Sequence, residues 1–137
     1  MNSLRQYQNI QVMTADKVRL IIMMYDGVIR FNKCAQKAIQ EKHIEARNTY
    51  INKSLAIVSE LANSLNMEEG GEVARNLSRL YDFATRELTQ ANINNDSAAL
   101  DTVNKIIFEL KSGWEGIAAE RSKPAVSQAA TGISYGI

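Results

Sequence analysis

The sequence holds one histidine, His43, and one cysteine, Cys34. Together with hydroxyl and carboxylate side chains, these are the types from which a nucleophile and its base are built. His43 sits in "EKHIE" with no Cys or Ser partner nearby, and reads as a solvated turn histidine rather than a general base. Cys34 falls on an apolar stripe and reads as a packed small side chain. There is no Glu-x-x-His pair of the kind a di-iron bundle uses. "EEGGE" lacks the Gly-x-x-x-x-Gly-Lys spacing of a phosphate loop. Arg75, Arg79 and Arg86 form a row that could meet phosphate or carboxylate, but such rows are more often solvated helix faces. A histidine phosphotransfer module needs an exposed mid-helix histidine with basic neighbours. His43 lies beside Lys42 but also near Glu41 and Glu45. These residues point away from an enzyme and toward binding, with no catalytic residue, metal or cofactor.

The bulk composition agrees. A chain of 137 residues, 45% hydrophobic, is the size of one domain with a real core. Sixteen basic residues against fifteen acidic ones give no long-range attraction to nucleic acid or to an anionic membrane. A single cysteine excludes an internal disulfide and suits a reducing compartment. "MNSLRQYQNIQVMTADK" has no signal-peptide core, and no segment has the apolar length of a membrane span. The expected location is the cytoplasm.

One proline, Pro124, and few glycines predict an all-helical chain. Three- and four-residue apolar steps mark four helices. The first runs from about 15 to about 41, with Thr14 as its expected cap and Val18, Ile21, Ile22, Tyr25, Val28, Ile29 and Ile39 on one stripe. The second starts near Ile44 and carries Ile51, Leu55, Val58, Ala62 and Leu65. "NMEEGG" is expected to turn the chain, with Gly70 and Gly71 stopping that helix. The third carries Val73, Leu77, Leu80, Tyr81, Ala84, Leu88 and Ala91. The fourth restarts at Asp96 or Ser97 and carries Leu100, Val103, Ile107, Leu110, Trp114 and Ile117. An antiparallel four-helix bundle over 14–121 follows, with a short N-terminal cap or gate segment, 1–13, and a flexible tail, 122–137.

Helix 1 is more apolar than a bundle needs. Leu20, Met24, Gly27, Phe31, Cys34 and Ala38 form a second stripe with Met23 at its edge. Tyr50, Ile57 and Leu61 widen the face of helix 2, and Phe83 and Phe108 point away from the main rows of helices 3 and 4. Two explanations stand: helix 1 is central and flanked on both sides, or the surplus is an interface. On the second, a disordered segment lays amphipathic pieces onto Met23, Met24, Phe31, Tyr50, Ile57, Leu61, Phe83 and Phe108, with Tyr7 and Ile10 in the gate.

"GGEVARNLSRLYDFATRELTQAN" (70–92) resembles the signature segment of the FliS family, export chaperones for flagellin. "YQNIQVMTADKVRLIIMMYDGVIRF" is similar to that family's opening, "INKSLAIVSEL" to its second helix and "LKSGW" to the end of its fourth, in order across roughly residues 7 to 117. The resemblance implies a cytoplasmic helical bundle that binds the disordered C-terminal region of flagellin, prevents its premature polymerisation and assists its delivery to the type III export gate. It also implies that the N-terminal segment covers part of the binding surface when no client is bound, with Tyr7 at the position tied to this switching. Lys17, where an acidic or small residue is usual, and the long tail after Lys123 depart from the pattern. A helical adaptor or a homodimeric scaffold, with helix 1 covered by a second copy, is the alternative.

Overall fold

Local signals in the chain set where each helix begins and ends. The computed structural model describes residues 15–121. Within them α1 spans Asp16–Gln40, α2 Ile44–Asn63, α3 Met67–Asn94 and α4 Ser97–Arg121. α1 ends in a six-residue C-cap motif: His43 N–H donates to the Ala38 carbonyl, Lys42 N–H to that of Ile39, and Lys42 takes a left-handed φ of 62°. α3 ends the same way, with Asn95 at φ 52° and Asp96 N–H donating to the Ala91 carbonyl. Asn tolerates this conformation because its short polar side chain bonds locally. The Asp96 carboxylate then accepts from Ala99 N–H and starts α4.

Three expectations are corrected here. The residue capping α1 is Ala15, which makes no side-chain cap bond, whereas Thr14 lies outside the described residues. The glycine pair does not stop α2. That helix has already ended at Asn63, and Asn66 caps α3 by accepting from Glu69 N–H at 3.0 Å. Asn66 thus starts a first turn through the buried Gly70, and Gly71, at φ 53°, ψ −128°, kinks the chain before the long run of α3. The buried row of α2 is Ile51, Ser54, Val58 and Leu61, leaving Leu55, Ala62 and Leu65 half-buried.

The helices form an antiparallel square in which α1 and α3 each pack on α2 and α4. The register is visible in the side-chain pairs. Asn32 with Asn104, Gln36 with Asp101 and Asp26 with Lys111 join α1 to α4. Arg47 donates to Asn92 and Asn95, joining the start of α2 to the end of α3. Val18, Tyr25, Val28, Ile51, Val58, Leu61, Tyr81, Leu88, Leu100, Val103 and Ile107 fill the centre, each almost wholly removed from water. Burial on that scale contributes about 1.5–3 kcal/mol per large side chain.

Part of the surplus on α1 has a structural explanation: Gly27 and Phe31 of its second stripe face α2, while Leu20 stays 49% exposed. Gly27 is buried, and a Cβ there would lie 3.0 Å from Ile57 Cδ1, so the missing side chain lets the two helices meet. Asn32 is buried one turn further on, where its Oδ1 accepts from Ser54 Oγ at 2.5 Å and its Nδ2 donates to Asn104 Oδ1 at 2.8 Å. The buried Asn32 and Ser54 and the half-buried Asn104 thus satisfy one another across three helices.

Candidate functional site

The residues singled out from the sequence are spread around the bundle. Tyr7 and Ile10 lie outside the described residues. Met23 is 62% exposed at the start of α1, and Met24 beside it is half-buried against the core. Phe31 stacks on Tyr50 across the α1–α2 seam with ring centroids 6.2 Å apart. Arg30 and Lys53 sit 5.1 and 5.4 Å from the Phe31 ring centre, so both cations are held on the aromatic. Ile57 packs toward Gly27 in the same seam. Leu61 is corrected: at 1% exposure it belongs to the core and is unavailable at the surface, because the buried face of α2 is rotated toward it. Phe83 is half-buried on α3, and Phe108 is 58% exposed on α4.

The opposite seam holds a feature that none of these residues lines. Between α3 and α4, Val73, Leu77, Leu110, Gly113, Trp114 and Ile117 enclose an apolar groove of about 220 Å³, with Glu109 the one charged residue on its wall. Gly113 makes the opening, since a Cβ there would meet nothing within 4 Å. Val73, taken from the sequence as core, is 44% exposed on the rim. The floor is Trp114, 5% exposed. The sequence signal was present in "LKSGW", but the periodicity of Val73, Leu110, Trp114 and Ile117 is that of an ordinary core row.

Beneath the floor lies a buried polar chain. Trp114 Nε1 donates to Tyr25 Oη at 3.0 Å, and Tyr25 Oη shares a hydrogen bond of 2.6 Å with Tyr81 Oη. It crosses the diagonal of the bundle from α4 through α1 to α3. Burial raises the pKa of both tyrosines above the usual value, outweighing for Tyr25 the hydrogen bonds that lower it. Both therefore stay neutral throughout the ordinary pH range. On the outer α1–α4 edge, Asp26 holds Lys111 at 2.7 Å and this bond raises the ammonium's pKa.

His43 sits exposed at the junction before α2, not in mid-helix as phosphotransfer needs. Among the described residues no group of three His, Cys, Asp or Glu side chains is placed to hold a metal ion. No helix among them is long and apolar enough to cross a membrane.

The fold is that of a four-helix bundle with an apolar groove on one seam. Comparison with known proteins gives its family. The profile described as "Flagellar protein FliS" matches residues 1–121, and the chain belongs to that family. It is 36% identical over 121 residues to the flagellar secretion chaperone FliSB of Pseudomonas aeruginosa, covering 85% of this chain and 96% of that one. It is also 36% identical over 122 residues to the flagellar secretion chaperone FliS of Vibrio cholerae, covering 86% and 90%. A crystal structure of a bacterial flagellar chaperone superposes with a TM-score of 0.71 at 18% identity, over 85% of this chain and 94% of that chain, which supports the shared fold. The profile stops at residue 121, before the tail.

Proposed function

We propose that this protein is a cytoplasmic chaperone of flagellar export whose client is the disordered C-terminal region of flagellin. The observation that carries this reading, beside family membership, is the apolar α3–α4 groove open to solvent. A client that folds on binding spends about 2–5 kcal/mol on becoming ordered, and so must bury on the order of 1,000 Å² or more. The groove is too small to supply that area and serves as one anchor point. The exposed Met23 and Phe108 and the half-buried Met24, Phe31, Tyr50, Ile57 and Phe83 offer further contacts around the bundle. Covering the client's apolar residues removes the surface through which it polymerises. The N-terminal segment, through Tyr7 and Ile10, guards part of this surface until the client displaces it, and the loaded chaperone then engages the export gate.

Light scattering after size exclusion, with the chain mixed with the C-terminal segment of flagellin from the same source, tests the reading. A one-to-one complex is expected, weakened more than tenfold by Val73→Glu at the groove rim. A homodimer that ignores the segment would replace the chaperone reading with that of a scaffold.

A further inference from the structure

The groove's floor is set from a helix that does not line it. We propose that Tyr25, on α1, is a positioning residue for the α3–α4 groove: its hydroxyl holds the Trp114 indole in the orientation that occupants meet. The proposal rests on the groove being a binding site, as the proposed function has it.

Trp114 alone joins the two features. It lines the groove, and its N–H points inward to Tyr25 Oη at 3.0 Å. Trp114 is 5% exposed, so packing already restricts its two torsions. The bond to Tyr25 adds a directional restraint to that packing. Gly113 beside it contributes no side chain to wedge the ring. Tyr25 is itself immobilised, with no exposed surface and a 2.6 Å bond to Tyr81, which is 1% exposed. The hydroxyl pair therefore acts as a fixed post, and the indole is hung from it. A groove with a fixed floor has less freedom to lose when filled. If the indole samples other rotamers, apparent affinity falls in proportion to the time it spends out of place.

Trp114 is the sole tryptophan, so its emission reads the floor directly. Tyr25→Phe in the full-length chain removes one oxygen and keeps the ring. We expect helicity by circular dichroism to persist, acrylamide quenching of Trp114 to rise, and affinity to fall about fivefold, the factor one lost hydrogen bond of ~1 kcal/mol gives. Affinity is read with two probes, 1-anilinonaphthalene-8-sulfonate and the flagellin C-terminal segment. Ser54→Ala, which also loses a buried hydrogen bond but far from the groove, should lower the melting temperature without moving either readout. Tyr81→Phe, which leaves the indole bond in place, should have a smaller effect on quenching than Tyr25→Phe. Unchanged quenching and dye affinity in Tyr25→Phe, with a melting temperature lowered as in Ser54→Ala, would overturn the proposal and leave the network purely structural. If dye binding responds to Tyr25→Phe but the flagellin segment does not bind the parent chain, the positioning role stands and the client assignment fails.

Discussion

The α1–α2 and α3–α4 seams each contain a glycine, and the two glycines have opposite consequences. At Gly27 a Cβ would press on Ile57 at 3.0 Å; at Gly113 it would meet empty space. The first absence is filled by a neighbour and closes the seam, helped by the Asn32–Ser54 bond and the Phe31–Tyr50 stack. The second is left unfilled and becomes the groove. A missing side chain is therefore a packing device or a binding device according to whether the facing helix reaches in.

Identical substitutions at the two positions give the sharpest contrast. Gly27→Leu should cost about 3 kcal/mol by overpacking, seen as a lower urea midpoint with an unchanged slope. A loss near zero would mean that α2 can retreat and that the closed seam is soft. A pH titration sharpens the contrast beneath the open seam. Tyr25 and Tyr81 have folded pKa values above the unfolded value near 10, so the unfolded state releases its protons first. Their contribution is full below about pH 10 and is lost as pH rises above it, at about 1.4 kcal/mol per pH unit for each tyrosine. Urea midpoints between pH 9 and 11 measure this, and Tyr81→Phe should flatten the slope. At the closed seam, Ser54→Ala should cost about 1–2 kcal/mol by denaturation, because Asn32 loses a donor while remaining buried. Gly113→Leu should have the smallest effect on stability, a gain of about 0.5–1 kcal/mol from helix propensity. It should also fill the groove and weaken flagellin-segment binding by isothermal calorimetry. Normal binding in Gly113→Leu would place the client elsewhere.

The same contrast accounts for what could be read from the sequence. Four helices and most core rows follow from apolar spacing, because burial on one face imposes the period wherever the chain is helical. The excess on α1 was legible as an excess, but not its cover. That α2 fills part of it depends on Gly27 meeting Ile57, a contact between residues thirty apart. The groove was illegible for the complementary reason. Val73 and Ile117 have the spacing of buried residues, and they differ from Leu88 and Val103 only in whether a neighbouring helix leans over them. The end of α2, at Asn63 and not at the glycine pair where the chain kinks, is local in origin. Glycine signals freedom to bend, whereas Asn66 offers a bond that decides where bending stops.

The order of the helices around the square carries a kinetic consequence. Three of its four sides join neighbours in sequence and can form as successive helical hairpins. The fourth, α1 against α4, is made by residues far apart in the chain: Asn32 and Asn104 are separated by 72 positions and Tyr25 and Trp114 by 89. Closing that loop is the slow search in an otherwise local topology, since its entropy is spent before any contact is gained. Mutations at Asn104, whose contact forms at closure, and at Asn92, within the α2–α3 hairpin that forms before it, should both slow folding. The side of the bundle that completes the ring is thus also the side that sets the indole in place, so a newly made chain acquires its finished groove only at its last folding step.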